Sequence, residues 1–126
     1  MSKLDVDITG SPTEIKMTHV FDAPRHLVLK AMTTPELAKR WLGGKRAVVT
    51  DATYDFRVGG SYRNAYRTHE GYEFAFTGTY LEISDERIVH TESFSDAPGE
   101  ARITITLTEQ DGKTTILTCR CTTAAV

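Results

Sequence analysis

The sequence has little of what marks membrane, secreted or disulfide-stabilised proteins. It contains no run of about eighteen apolar residues, the length that suggests a membrane-spanning helix. The first residues, MSKLDVDITGSP, lack the apolar core of a secretion signal. The only two cysteines, Cys119 and Cys121, stand two apart in a strand-like run, a spacing near or beyond the reach of a disulfide bond. We therefore expect a cytoplasmic protein in which both thiols are reduced and structural.

Charge of one sign is not concentrated anywhere along the chain. Fifteen basic and seventeen acidic residues leave a formal net charge of −2 in 126 residues, and no block of like charges occurs. Proteins that bind nucleic acid or an anionic membrane usually present a basic patch or stripe. We therefore expect neither nucleic acid nor a membrane surface as a partner.

The common motifs of hydrolases and metalloenzymes are also missing. The sequence has no G-x-S-x-G and no H-E-x-x-H, and its cysteine pair lacks the further ligands of a metal site. We accordingly expect no catalytic residue of these kinds, no metal site and no cofactor. On this ground the sequence favours a protein that is not an enzyme.

Apolar periodicity predicts the order of helices and strands. Residues 1–12 are polar and predict a loose lead-in, after which TEIKMTHVF alternates like a half-buried strand. Pro24 and Pro35 each begin a short amphipathic helix, in PRHLVLKAM and TTPELAKRWLGG, with Thr34 as the cap of the second. From Arg46 onward the period changes to two, and short turns separate six further strands. The predicted order is one strand, two helices and six antiparallel strands, in a single domain over residues 13–126.

Four stretches carry a resemblance to a known family. In order they are VFDAPRHLVLKAMTTPELAKRWLGG, DFRVGGSYR, EFAFTGTYLEI and ERIVHTESF. Together they resemble the bacterial branch of the START-like superfamily, also called SRPBCC, and more narrowly the domain family named for the activator of heat-shock protein 90 ATPase. The resemblance implies an α+β helix-grip fold. In this fold a curved antiparallel sheet of about seven strands encloses an apolar pocket, and two short helices after the first strand plug one end.

The chain departs from this family at its C-terminal end. The resemblance implies a long helix after the last strand, about twenty or more residues, whereas the sequence stops at CTTAAV. Without that helix an apolar face of the sheet would be exposed to water, more than soluble monomers usually expose. We therefore expect either a shortened chain or a homodimer in which a neighbouring copy covers the open face of the sheet.

Period-two alternation selects the candidate pocket residues, because alternate residues of a strand share a face. On the three central predicted strands, one face carries aromatic side chains together with an imidazole and a carboxylate, and a tryptophan ends the second helix near the pocket mouth. The predicted ligand-binding residues are Trp41, Tyr62, Tyr66, Phe74, Phe76, Tyr80, His90 and Glu92. One alternative is that the aromatic residues are ordinary core. The other is that this face points outward, because an error of one residue in the strand assignment exchanges the two faces of the strand.

Three functions from different classes remain open. The first is a binding protein for a small hydrophobic ligand, held by aromatic walls and oriented by a few polar groups. The second is an enzyme of cyclase or lyase type, in which His90 and Glu92 transfer protons on a largely apolar substrate. The third, implied by the family name, is a co-chaperone whose outer surface stimulates a heat-shock ATPase. We rank the binding protein first and the co-chaperone last, because no charged docking patch is visible in the sequence.

Overall fold

The computed structural model describes residues 3–7, 14–42 and 45–122. In this part of the chain eight strands form one antiparallel sheet, curled into a half-barrel, with the strand order β1-β2-β8-β7-β6-β5-β4-β3. The elements are β1 (Lys3–Asp7), β2 (Glu14–Phe21), α1 (Arg25–Thr33), α2 (Pro35–Trp41), β3 (Ala47–Tyr54), β4 (Ser61–Thr68), β5 (Glu73–Ile83), β6 (Arg87–Phe94), β7 (Ala101–Gln110) and β8 (Lys113–Thr122). The predicted helix-grip fold, with two short helices after the strand TEIKMTHVF, is confirmed.

Strand β1 is a correction to the prediction. Residues 1–12 were expected to form a loose lead-in, but β1 pairs antiparallel with β2, Lys3 opposite Val20 and Asp7 opposite Lys16. The described sheet therefore has eight strands rather than about seven. The segment KLDVD alternates as a strand should, yet five residues in polar surroundings give too short a pattern to separate from a loop.

Both helices start where proline indicated. Pro24 is the N-cap of α1, and Thr34 caps α2 with Pro35 at the first helical position. Pro suits this position because the first N–H groups of a helix have no partner within the helix. Helix α1 packs on β7 and β8, and α2 packs on β3. The buried side chain of Val28 in α1 joins the core, so one apolar helix face closes over the inside of the curled sheet.

The core lies on the concave face of the sheet. In β7 the buried residues alternate with more exposed ones, as a strand with one covered face requires. Two aromatic side chains of the central strands belong to this core. Half-buried side chains pack against it, among them Met32 of α1 and Phe56 of the β3–β4 turn. The buried core residues are Val28, Tyr62, Tyr80, Ile88, Ala101, Ile103, Ile105, Leu107 and Ile116.

Candidate functional site

A cavity of about 370 Å³ opens between the concave face of the sheet and the helices. This volume lies within the range of small-molecule pockets, roughly 300–1,000 Å³. Most of its wall is apolar or aromatic, and the polar side chains are few. Six of the residues predicted from the sequence line it: Tyr62, Tyr66, Phe76, Tyr80, His90 and Glu92. The structure thus brings these six side chains together, while their role in binding stays a prediction.

The other two predicted residues are placed differently. Phe74 does not line this cavity; its ring stacks on Tyr66 with centroids 5.1 Å apart and meets Phe94 at 5.9 Å. Phe74 therefore supports a wall residue from the side. Trp41 ends α2, and its side chain lies outside the described part of the structure.

Aromatic rings form a continuous wall across β4 and β5. Tyr62 and Tyr80 lie 5.6 Å apart between ring centroids, and the ring of Phe56 meets Tyr80 edge-on at 5.1 Å. Burial raises the pKa of Tyr80 to about 12 and also raises the pKa of Tyr62 and Tyr66. The tyrosine hydroxyl groups therefore remain protonated at neutral pH, and they act as neutral hydrogen-bonding groups in an apolar setting.

His90 is the polar centre of this wall. Its Nδ1 lies 2.9 Å from the main-chain oxygen of Thr91, and its ring meets Tyr62 edge-on with centroids 4.9 Å apart. Burial lowers the pKa of His90, while the hydrogen bond to Thr91 and the negative charge of Glu92 act in the opposite direction without outweighing burial. The imidazole is therefore neutral at pH 7 and its ring is held in one orientation.

The carbonyl of Thr91 depends on a glycine in the neighbouring strand. It accepts hydrogen bonds from Tyr62 Oη at 2.8 Å and from His90, and it occupies the space where residue 78 would carry its Cβ. A Cβ built on Gly78 would lie 1.9 Å from this oxygen and 2.6 Å from Cε1 of Tyr62. Next to this point Thr79 N–H donates to Oγ1 of Thr91 at 2.9 Å. Gly78 thus allows a main-chain oxygen to approach and orient two wall residues.

The carboxylate of Glu92 is paired with a residue that we did not predict. Arg120 Nε of β8 donates to Glu92 Oε1 at 3.2 Å, and the side chains of Arg120 and Glu92 are 34% and 22% exposed.

On the far wall Tyr54 Oη donates to Asn64 Oδ1 at 2.6 Å, and the pKa of Tyr54 is raised to about 12, mainly by burial. No hydrogen bond joins His90 to Glu92 among the described residues.

Several wall residues were missed because their signals are weak. Phe56, for example, lies in a turn after its strand. Arg120 stands between two cysteines, and a lone arginine in a strand reads as solvent-exposed. Alternation along TTILTCRCTT does place Thr118 and Arg120 on the same face of the strand. This alternation is the signal that could have identified Arg120 as a wall residue. The wall residues missed from the sequence include Met17, Tyr54, Phe56, Ile103 and Arg120.

Three further findings concern metal ligands, the cysteines and the helices. Within residues 3–7, 14–42 and 45–122, no group of three or more His, Cys, Asp or Glu side chains could hold a metal ion. Cys119 and Cys121 are not joined by a disulfide bond, and their Sγ atoms lie 3.6 Å apart. Neither described helix is both long and apolar enough to span a membrane.

Solved structures with this fold come from several bacteria. A protein from Rhodobacter sphaeroides superposes with a TM-score of 0.84 at 25% identity, covering 94% of this chain and 78% of that chain. One from Chromobacterium violaceum gives a TM-score of 0.81 at 32% identity, covering 89% of this chain and 81% of that one. A protein from Mycobacterium smegmatis, at 19% identity, shares the fold with a TM-score of 0.83 over 96% of this chain and 79% of its own.

A comparison with curated proteins found no match. The comparison with protein families agrees with the structural one. The family model described as "Activator of Hsp90 ATPase homolog 1-like protein" matches residues 22–125, most of the chain. This span begins just before α1 and contains every strand that lines the cavity except β2. The chain therefore belongs to the family of Activator of Hsp90 ATPase homolog 1-like proteins, as its sequence motifs predicted.

Proposed function

We propose that the protein binds a small hydrophobic molecule in the cavity between the curled sheet and the helices. The observation that carries this proposal is the cavity of about 370 Å³, walled mainly by aromatic and aliphatic side chains with a smaller number of polar groups among them. Such a combination is typical of small-molecule sites, where apolar area supplies affinity and convergent polar groups fix orientation. The family, which includes many proteins with such pockets, is compatible with this function.

The aromatic wall alone supports modest affinity. An aromatic group buries about 150–250 Å², which contributes about 4–6 kcal/mol at ~25 cal/mol per Å². The loss of translational and rotational freedom opposes binding by an amount of similar size. Tight binding therefore requires a ligand that fills the cavity and also satisfies the polar groups on its wall.

A substitution that fills the cavity tests the proposal. Thr118 lines the cavity from β8, whereas its neighbour Leu117 is 40% exposed and does not line it. We expect Thr118→Phe to occupy part of the cavity and weaken binding of the neutral fluorophore 1-aminoanthracene by about tenfold or more. The matched control, Leu117→Phe, introduces a ring at the neighbouring residue, which lies on the opposite face of β8. It is expected to leave the affinity within about twofold.

Binding is measured by the rise in fluorescence of 1-aminoanthracene on titration with protein. Near-ultraviolet circular dichroism and thermal melting verify that both variants keep the native fold. Absence of binding to the unchanged protein contradicts the proposal. Equal affinities of a folded Thr118→Phe variant and the unchanged protein contradict the assignment of this cavity as the binding site.

The two other functions stay predictions with separate readouts. Proton transfer by His90 and Glu92 would require catalysis that is lost when His90 is replaced by an apolar residue of similar size, whereas binding of an apolar ligand would survive. Each of these two side chains already has another partner, Thr91 O for His90 and Arg120 for Glu92. A co-chaperone role would appear as stimulation of a heat-shock ATPase that does not respond to Thr118→Phe.

A further inference from the structure

The hydrogen bond of His90 determines which ring nitrogen is free. A carbonyl oxygen can only accept, so the 2.9 Å contact with Thr91 O requires the proton on Nδ1. In the neutral ring Nε2 then carries a lone pair and acts as an acceptor. This assignment follows from the chemistry of the partner atom and needs no assumption about the ligand.

Nε2 of His90 is the ring nitrogen without a hydrogen-bond partner among the described residues. Every fully buried side-chain nitrogen or oxygen in the described residues, by contrast, has a partner. Nε2 is therefore accessible, and His90 is a wall residue of the cavity. Because Nδ1 is bound to the main chain, Nε2 lies on the side of the ring directed away from the strand. It is an acceptor placed where a ligand would lie.

Two of the four tyrosine hydroxyl groups of the wall already donate to protein oxygens. Tyr62 Oη donates to Thr91 O, and Tyr54 Oη donates to Asn64 Oδ1. An unpaired acceptor in an apolar wall is best satisfied by a ligand group that donates an O–H or N–H. The edge-on rings of Tyr62 and Tyr80 around His90, at 4.9 and 6.1 Å, favour a flat ring as the body of that ligand.

The ion pair of Glu92 and Arg120 favours an uncharged ligand. The two charges lie on the same cavity wall and are joined at 3.2 Å, so they offset each other. An anionic ligand would have to compete with Glu92 for Arg120 and would meet the carboxylate at close range. A cationic ligand would meet the guanidinium in the same way.

We infer that the cavity prefers an uncharged aromatic molecule with a hydroxyl group, whose O–H donates to Nε2 of His90. The inference rests on the proposed function and adds the chemical class of the ligand. A phenolic hydroxyl fits best, because it is a stronger donor than an aliphatic alcohol and is attached directly to the flat ring. One contact of this kind distinguishes the ligand from an apolar molecule of the same shape.

A series of two-ring compounds tests the inference with the full chain. The compounds are 2-naphthol, naphthalene, 2-methoxynaphthalene and 2-naphthoate, titrated by calorimetry at pH 7.5. The naphthol has the donor, naphthalene and the methoxy compound bracket its size without a donor, and the naphthoate carries a negative charge. We expect 2-naphthol to bind about three- to tenfold more tightly than each of the other three.

Two variants assign the preference to a residue. His90→Phe keeps a ring and removes the acceptor, so 2-naphthol should lose its advantage while 2-methoxynaphthalene binds within about twofold of its former affinity. Tyr72→Phe is the control, because it removes a hydroxyl from an exposed ring that does not line the cavity and should leave the preference intact. His90→Gln, which offers a side-chain carbonyl as acceptor, should retain part of the preference and serves as a second variant if His90→Phe fails to fold.

The outcomes separate the inference from the proposed function. Equal binding of 2-naphthol and 2-methoxynaphthalene, or tighter binding of 2-naphthoate, overturns the inference and leaves a hydrophobic cavity in place. A preference for 2-naphthol that persists in folded His90→Phe overturns the role of His90. Absence of binding by all four compounds overturns both the inference and the proposed function.

Discussion

His90 shows how one buried side chain links the site to stability. Burial holds its pKa below the ordinary histidine value of about 6.5. The titratable and charged groups around it are Tyr62 and Tyr80, whose rings meet the imidazole, and Glu92, which is paired with Arg120. Since the tyrosines stay neutral, protonation of His90 is opposed mainly by the loss of water around the ring.

The stability of the protein should therefore depend on pH through His90. Below about pH 6.5 the unfolded chain takes up a proton at this residue more readily than the folded protein. The free energy of unfolding should be unaffected by this residue above about pH 6.5. It should decrease as the pH falls from there towards the lowered pKa. Urea denaturation at several pH values measures the effect in the unchanged protein and in His90→Gln.

The difference between the two proteins isolates His90 because the other histidines are present in both. We expect the unchanged protein to lose more stability than His90→Gln between neutral pH and about pH 5. Parallel pH profiles would show that His90 titrates alike in the folded and unfolded states, against the burial seen at the cavity wall.

At the level of elements, the β5 and β6 strands approach each other unusually closely at one glycine. Thr77 pairs with Ser93 and Tyr80 with His90, and between these pairs the Thr91 carbonyl lies over Gly78. Tyr62 of β4 is the register partner of Gly78, so its ring covers the glycine from the other side. Three strands therefore meet around a single position without a side chain.

Gly78→Ala should disturb this junction. The added Cβ would meet Thr91 O at 1.9 Å, so the β5 and β6 backbones must separate. We expect a loss of roughly 1–3 kcal/mol in the free energy of unfolding and weaker binding of 2-naphthol. Thr77→Ala, at an exposed position of the same strand, is the control and should change stability by about 0.5 kcal/mol or less. Chemical denaturation measures both, and a Gly78→Ala variant as stable as the control would contradict the close approach.

The two-residue alternation of side chains along a strand allowed the sequence to predict which residues share a face of the sheet. Alternation along SYRNAYRT and RIVHTESF decides which residues share a face, and aromatic content indicates which face is covered. Tyr62 and His90 accordingly line the cavity. The same reasoning could not find the Thr91 carbonyl, because a main-chain oxygen leaves no mark in the sequence. Its role depends on the space above Gly78, which is a property of the three paired strands together.

Elements were predicted well where proline, glycine or a long alternating run marks them. Helix α2 begins at the pair Thr34–Pro35, and β7 and β8 are joined at the turn of QDGK. The five-residue β1 was missed, because it is held as a strand by its pairing with the edge of β2, and this pairing is not visible in its own short sequence. Arg120 was missed for a related reason, since its partner Glu92 is distant in sequence and lies two strands away in the sheet.

At the level of the whole molecule, the side of the cavity formed by β2 and β8 is only partly covered. Helix α1 packs on β7 and β8, and α2 packs on β3. Met17 of β2 and Thr118 of β8 line the cavity and are only half-buried. A second copy of the chain could bury both residues in a symmetric contact. The homodimer expected from the sequence stays a prediction.

Light scattering after size exclusion tests this assembly, since one chain has a mass of 14.0 kDa. We expect a mass of twice that value, which decreases on dilution by mass action. Met17→Glu should favour the monomer, because it places an unpaired charge in the proposed contact. Leu117→Glu, on the opposite face of β8, should leave the dimer intact. A monomer at all concentrations would place the complete binding site within one chain. A dimer that Leu117→Glu disrupts and Met17→Glu does not would move the contact to the convex face and leave the cavity open to ligand.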